Sequence, residues 1–339
     1  MTIEEVKSMY NNGELYAESI QEEVQLCWKE CSRENFKRTS NTLLVSNPFQ
    51  DQLHLTLVPW LSVMFKRGIQ DDTPVIKASK ILILNLPFCG SYGHVYSEVL
   101  CELLDIENKY SKYDLVLTAH SLLLKDVFDC FSDLKLPSRL KFIRHNETYK
   151  VICSEITIKS IHPNGVTQKL EGTKKIQKLL CESKEAPKTT KQLLTYCTRN
   201  NTFTVRHGRC MNKQNEAEVI SLLKKYAETH NLDFVVFNGE DKNGQKMSIY
   251  DQYKMFRNTK MLVGPHGAAL ANGIFLDSEN MPIFVEFAHK RSYDFMHGGF
   301  FSTIGKYINI PFIVDGPMTD DHLMSIDVES FKILLESLS

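Results

Sequence analysis

The stretch Met261-Leu-Val-Gly-Pro-His-Gly-Ala-Ala-Leu-Ala-Asn-Gly-Ile-Phe275 decides the fold of the C-terminal half. Its first three residues form a short apolar run of the kind found in buried parallel strands. Gly264-Pro-His-Gly267 ends that run, the alanines that follow suit a helix, and Asn272-Gly273 is a helix stop signal. The pattern therefore predicts a strand, a tight turn and a helix in succession.

The start of that helix is a candidate anion site, because free backbone N–H groups and the positive end of the helix dipole meet there. Gly264 and Gly267 let a ligand approach the backbone closely, and Ala268 and Ala269 keep the first turn thin. A turn of this composition also serves close packing alone, and a lone His266 is more often structural than catalytic. The stretch contains neither the G-x-G-x-x-G dinucleotide fingerprint nor a Walker loop.

A lone carboxylate, Glu286, follows a second apolar run at residues 283–285. Open α/β sheets bind ligands beyond the carboxyl ends of their strands. We therefore expect Glu286 to lie at a strand end, to face the same crevice as the glycines, and to accept hydrogen bonds from ribose hydroxyls.

Composition narrows the class of protein. The chain has 339 residues, of which 42% are hydrophobic and 24% charged, enough for two domains with proper cores. The net charge of −1 argues against a nucleic-acid partner, since general nucleic-acid binders are more often basic. Nine scattered cysteines without zinc-ligand spacing indicate mostly reduced, buried thiols.

Neither a signal core nor a membrane span is expected. Residues 1–7 are acidic, and no window reaches eighteen apolar residues. The chain as given is therefore expected in a cytoplasm, or in a lumen if a leader was removed.

Strand and helix patterns alternate along the chain, which predicts an α/β fold with parallel sheets. Residues 80–86 form the clearest early strand, and a glycine loop and an amphipathic helix at residues 94–104 follow it. The patterns predict a helical extension (1–45), an N-terminal domain (46–165), a connecting helix with linker (166–190), a C-terminal domain (191–316) and a C-terminal helix (317–339).

Three arginines, Arg199, Arg206 and Arg209, lie between a predicted strand at residues 191–197 and a strong helix pattern at residues 215–229. Guanidinium groups suit a diphosphate because they offer paired donors in fixed geometry. Arginines in a surface loop are the alternative interpretation.

The motif Gly264-Pro-His-Gly-Ala-Ala-Leu-Ala-Asn-x-x-Phe275, followed by Val285-Glu286, resembles the C-terminal signature of glycosyltransferase family 61. That family transfers sugars from nucleotide-sugar donors with inversion. The resemblance covers roughly residues 80–315 and is sharpest in 190–290. It implies a GT-B fold, in which two Rossmann-like domains face each other across a cleft.

The resemblance also implies a donor site in the C-terminal domain. The family pattern there is a strand, an arginine, a short gap, a second arginine and an Asn-Glu pair that opens a helix. Arg199 matches the first arginine. Because residues are inserted here, Arg206 or Arg209 matches the second, and Asn212 or Asn215 matches the asparagine. The implied donor-binding residues are Arg199, Arg206, Arg209, Asn212, Gly264, His266, Gly267, Ala268, Ala269 and Glu286.

An N-terminal element, Gly90-Ser-Tyr-Gly-His94-Val-Tyr-Ser-Glu98, is similar to a family element of the form Asn/Gly-x-Gly-His-x-x-x-Asp/Glu. A helix places His94 and Glu98 on one face. Either side chain suits the general base that an inverting transfer requires. The alternative is that His94 caps the helix and Glu98 is solvated. Asp51 and His54 are weaker candidates for the base.

No D-x-D motif is present, since Asp71-Asp72 and Asp320-Asp321 lack its spacing. We therefore expect no cofactor and no obligate metal, with arginines and a helix dipole neutralising the donor diphosphate. By family resemblance the donor is a UDP-sugar, for example UDP-xylose or UDP-GlcNAc, and the acceptor is a glycan or protein hydroxyl. The alternatives are an inactive nucleotide-sugar-binding module and another nucleotide-using transferase, such as a sugar-phosphate or pyruvyl transferase.

Overall fold

The structure, a computed structural model, describes residues 15–19, 36–39, 42–46, 53–58, 61–67, 74–85, 94–119, 121–131, 134–143, 148–160, 166–182, 191–200, 210–289, 306–314 and 323–338. The chain divides into two compact units. The first unit is Met1–Lys125 with Leu134–Val166, and the second is Asp126–Asp133 with Thr167–Ser339.

Strands of the first unit form two sheets. The strands are β1 (Leu15–Ser19), β2 (Phe36–Thr39), β3 (Thr42–Ser46), β4 (Leu53–Val58), β5 (Leu61–Arg67), β6 (Val75–Lys77), β7 (Lys80–Asn85), β8 (Leu115–Ala119), β9 (Leu140–Ile143), β10 (Thr148–Ile152) and β11 (Glu155–Ser160). One sheet has the order β1-β5-β4-β10-β6 and is mainly antiparallel. The other has the order β2-β3-β11-β7-β8-β9, and its last four strands run parallel.

The core of the first unit explains why β7 was predictable. Ile81, Leu82, Ile83 and Leu84 have no exposed surface, so both faces of the strand are covered. The helical segments that the structure describes in and after this unit are a π-helical turn (Val95–Val99), α1 (Leu100–Leu103), α2 (Ile106–Lys109), α3 (Leu122–Cys130) and α4 (Val166–Glu182).

Two predictions for the first unit are wrong. The weak helical pattern of residues 1–45 gives way to strands at Leu15–Ser19 and Phe36–Thr39. Pairing of β1 with β5 and of β2 with β3 supplies the backbone hydrogen bonds and outweighs local propensity. The apolar pattern of residues 150–158 predicts a single strand, but the structure divides this stretch into β10 and β11, which pair in different sheets.

The second unit has one parallel sheet. Its strands are β12 (Leu193–Cys197), β13 (Asp233–Phe237), β14 (Thr259–Pro265), β15 (Ile283–His289) and β16 (Ile308–Val314). The strand order is β13-β12-β14-β15-β16, and every neighbouring pair is parallel. Counted along the chain this is the doubly wound order 2-1-3-4-5, whose topological switch point lies between β12 and β14. Sheets of this kind bind ligands at the carboxyl end of that switch point.

Helices cover the faces of this sheet. On one face, Val219 and Leu223 of α5 (Lys213–Thr229) pack with Phe331 of the C-terminal helix α7 (Val328–Ser337). Phe331 lies edge-on to Phe287 of β15, with ring centroids 5.3 Å apart. Elsewhere in the unit, α6 (Ile249–Arg257) packs Tyr253 against Phe275 of a 3-10 helix (Ala268–Phe275).

Candidate functional site

Two turns meet at the carboxyl end of the switch point. The glycine turn (residues 264–267) ends β14, and the arginine turn (residues 198–200) follows β12. Residues 264–267 are buried, whereas Ala268 is exposed and Ala269 is half-buried. The 3-10 helix therefore begins at the surface, with Ala268, although the turn before it is buried.

The helix predicted after the glycine turn is a 3-10 helix. Its first described bond runs from Leu270 N to Gly267 O, at 3.0 Å. The N–H groups of Ala268 and Ala269 consequently have no partner within the helix.

Side chains take carbonyls of this helix that an α-helix would bond to later N–H groups. The Asn272 side-chain amide donates to Ala269 O (3.1 Å), Tyr307 Oη donates to Gly273 O (3.3 Å), and Arg257 Nη1 donates to Leu276 O (3.3 Å). Two of these bonds hold carbonyls of the 3-10 helix, and the third holds the carbonyl of its C-cap residue, Leu276.

The two glycines are required for different close approaches. Gly267 has φ 162° and ψ −179°, an extended conformation open to any residue. A Cβ there would overlap Nη1 of Arg199 and lie 2.7 Å from its Cζ. A Cβ at Gly264 would lie 2.7 Å from the backbone oxygen of Cys197. Gly264 therefore lets two strands approach, and Gly267 makes room for the Arg199 guanidinium.

Arg199 connects the two turns. Its Nη1 donates to the carbonyl of His266 at 3.1 Å, and its guanidinium lies against Gly267. Arg199 is half-buried, and a guanidinium keeps its charge in proteins. This geometry brings a positive charge beside the first amides of the 3-10 helix.

His266 and Glu286 form a buried pair. Nδ1 of His266 and Oε1 of Glu286 are 2.7 Å apart, Glu286 has no exposed surface, and the His266 side chain is 9% exposed. Glu286 pairs across the sheet with Gly264, and β15 continues to His289. The prediction that Glu286 ends its strand is therefore wrong, because the buried sheet extends three residues further. A carboxylate that accepts the Nδ1 proton fixes the tautomer of the ring.

A carboxylate network holds the arginine turn, and its geometry was not predicted from the sequence. Glu216 of α5 accepts hydrogen bonds from Tyr196 Oη (2.9 Å), Thr198 Oγ1 (2.7 Å) and the Asn200 side-chain amide. Burial is the main factor that raises the pKa of Tyr196, and the Glu216 charge raises it further. The phenol therefore stays protonated and donates. The signal in the sequence was the Asn215-Glu216 pair that opens the helix.

The two candidate asparagines are both at the start of α5. Asn212 is the N-cap, and its Oδ1 accepts from Gln214 N (3.0 Å) and Asn215 N (3.3 Å). Asn215 instead exchanges two 2.9 Å bonds with the backbone of Ile326. Asn212 thus starts the helix, and Asn215 attaches it to the segment before α7.

The remaining predicted site residues lie either outside the described residues or in the first unit. Arg206 and Arg209 lie outside the described residues, as does Asp51. His94 and Glu98 belong to the first unit, and the side chain of Glu98 is also outside the described part. The helix predicted at residues 94–104 opens as a π-helical turn, at which His94 makes no side-chain capping bond. Their catalytic role stays a prediction.

The part of the chain that the structure describes has no arranged metal site, no membrane-spanning helix and no disulfide. No group of three or more His, Cys, Asp or Glu side chains there is arranged to hold a metal ion. No helix there combines the length and apolar character needed to cross a bilayer. The six cysteines described are free thiols. The expectation of no obligate metal remains a prediction.

Similarity to individual known proteins is low. A search of curated protein sequences found no match. Among solved structures, similarity is found to the iron-containing dodecameric glycosyltransferase TibC from enterotoxigenic E. coli, with 10% identity, 76% of this chain and 79% of that chain covered, and a TM-score of 0.34. A glycosyl transferase family 9 structure from Veillonella parvula has 8% identity, 79% and 91% coverage, and a TM-score of 0.32.

The family model described as Glycosyltransferase 61 matches residues 92–282, a span that contains both turns and Glu216 and ends just before β15. That span is more than half of the 339 residues. The α/β fold with parallel sheets and the family-61 signature are both confirmed, and the chain belongs to the glycosyltransferase 61 family and is a glycosyltransferase.

Proposed function

We propose that the protein transfers a sugar, with inversion, from a nucleoside-diphosphate sugar to a hydroxyl of a glycan or protein. The nucleotide proposed is uridine diphosphate, on the family resemblance. The observation that carries the donor site is the Arg199 guanidinium, which lies against Gly267, next to the Ala268 and Ala269 amides that have no partner within the 3-10 helix.

A diphosphate suits the place where the arginine turn meets the glycine turn, for two physical reasons. Helix N-termini attract anions because N–H groups without helical partners point outward and the peptide dipoles align. A guanidinium adds charge-assisted hydrogen bonds of fixed geometry. Both lie at the switch point of the 2-1-3-4-5 sheet, which supports a donor site there.

Glu286 is proposed to act through His266. Because Glu286 has no exposed surface, contact with a ribose hydroxyl would require the residues that cover it to move. As the partner of Nδ1, it holds the imidazole of His266 in one orientation toward the donor.

The reaction itself requires a base and a stabilised leaving group. The base removes the proton of the acceptor hydroxyl, whose oxygen attacks the anomeric carbon while the bond to the nucleoside diphosphate breaks. Arg199 and the helix N-terminus stabilise the negative charge that develops on the diphosphate. His94 or Glu98 of the first unit is proposed as the base, and no obligate metal is proposed. The GT-B arrangement of the two units belongs to the same proposal.

Turnover of UDP-, GDP- and CMP-sugars, followed as release of the nucleotide, tests the proposal. We expect release from UDP-sugars alone, together with a rise in melting temperature on addition of UDP, since a ligand bound by the folded state stabilises it. One of the two variants, His94→Ala or Glu98→Ala, should lose nucleotide release, because one of these side chains is the proposed base. UDP binding without turnover would favour a binding module, and turnover of GDP- or CMP-sugars alone would contradict the uridine assignment.

A further inference from the structure

We infer that Glu216 is a positioning residue for Arg199, and that it acts on donor binding through the arginine turn. The inference rests on the proposed function, because the role of Arg199 in binding the diphosphate is part of that proposal. Glu216 itself lies on α5, and its described bonds go to residues on both sides of Arg199.

The spacing of the three donors determines where Arg199 points. Tyr196, Thr198 and Asn200 alternate along the chain, and all three side chains bond to Glu216, so they lie on one side of the backbone. Glu216 collects them there, with Oε1 accepting from Tyr196 and Thr198 and Oε2 from Asn200. Arg199 is consequently directed to the opposite side, where its guanidinium meets Gly267.

Three further hydrogen bonds hold the backbone around Arg199. Asn200 N donates to Thr198 Oγ1 at 3.2 Å, and Thr198 N donates to Phe237 O at 3.0 Å, which continues the β12–β13 ladder. Cys210 Sγ donates to the carbonyl of Arg199 at 3.6 Å. These bonds hold the backbone of residues 198–200, and Glu216 holds the side chains on either side of Arg199.

A carboxylate is needed at position 216 because one acceptor oxygen is insufficient. Glu216 is only 8% exposed, and a buried charge is costly unless it is well hydrogen-bonded. Three donors and the positive end of α5, which begins three residues earlier, offset that cost. A glutamine in the same place has a single acceptor oxygen and would turn an N–H₂ group toward the amide of Asn200.

The test is UDP binding measured by titration calorimetry on the full chain, with Glu216→Gln compared to Glu218→Gln. Glu218 lies on the same helix and is exposed, so it controls for the loss of one charge. We expect UDP affinity to fall about tenfold in Glu216→Gln, as for loss of one hydrogen bond to a charged group, and to be unchanged in Glu218→Gln. In an Arg199→Ala background, Glu216→Gln should have no further effect, because coupled residues are non-additive.

The outcomes separate this inference from the proposed function. Unchanged UDP affinity in Arg199→Ala removes the proposed donor site, and the inference with it. If Arg199→Ala weakens UDP binding but Glu216→Gln leaves it unchanged, the inference alone is overturned. The same follows if the effects of the two substitutions on UDP affinity are fully additive. If Glu216→Gln does not fold, Asn200→Ala replaces it, since Asn200 is only half-buried; a drop of about threefold is expected, and wild-type affinity again overturns the inference.

Discussion

The two turns at the switch point are built in opposite ways. The glycine turn depends on missing side chains, because Cβ atoms at Gly264 and Gly267 would collide with Cys197 and Arg199. The arginine turn depends on side chains that are present, since Thr198 and Asn200 bond to Glu216. Added atoms should therefore disrupt the glycine turn, whereas removed atoms should disrupt the arginine turn. Both turns hold the Arg199 guanidinium.

Removing the guanidinium should have the largest effect on donor binding. Arg199→Ala is expected to weaken UDP binding by about 1.5–3 kcal/mol, the range for hydrogen bonds to charged groups. Calorimetric titration with UDP measures this. Lys213→Ala, which removes an exposed positive charge at the start of α5, is the matched control and should bind normally. Equal affinities in Arg199→Ala and the unaltered chain would exclude Arg199 from the donor site.

Adding one methyl group at each glycine should separate binding from stability. Gly267→Ala meets the end of a flexible side chain, so we expect about tenfold weaker UDP binding with less than about 1 kcal/mol lost from the free energy of unfolding.

Gly264→Ala is the matched variant. It meets the backbone of Cys197, so overpacking should cost about 1–3 kcal/mol of unfolding free energy. Urea denaturation and UDP titration of both variants provide the comparison. A Gly267→Ala variant that binds UDP normally would show that the guanidinium does not need this space.

A smaller effect is expected at the helix cap beside the arginine turn. Asn212→Ala should lower the free energy of unfolding by about 1 kcal/mol, because the N-terminal amides of α5 lose their acceptor. Asn212→Ser keeps a capping oxygen and should restore most of that stability. If the serine variant also binds UDP normally, the donor-binding prediction for Asn212 is wrong.

No effect at all is expected from metal removal. Transfer measured in excess EDTA should equal transfer without it, because the proposed donor site neutralises the diphosphate with Arg199 and the helix N-terminus. Loss of turnover in EDTA and its recovery with manganese would contradict this prediction.

Much of the second unit was predictable because its signals are local. The apolar run before Gly264 marks a strand, which the structure continues to Pro265, and the apolar stripe of residues 215–229 marks an amphipathic helix that the structure extends to Lys213–Thr229. The motif also indicated the family, since its residues lie close together in the chain.

The contacts between the turns were not predictable from the sequence. Arg199 and Gly267 are far apart in the chain, and no periodicity relates them; only the strand order brings β12 and β14 side by side. The three bonds to Glu216 depend on that same tertiary placement. In the first unit, strands at Leu15–Ser19 and Phe36–Thr39 arise from pairing with β5 and β3, which overrides a weak local pattern.

Hydrogen exchange of the segment at residues 264–272 tests the central claim most directly, since exchange reports the protection of individual backbone amides. UDP should slow exchange at Ala268 and Ala269, and uridine, which lacks the diphosphate, should not. Equal protection by uridine, or protection by UDP only at other segments, would contradict a diphosphate bound where the glycine turn becomes a helix.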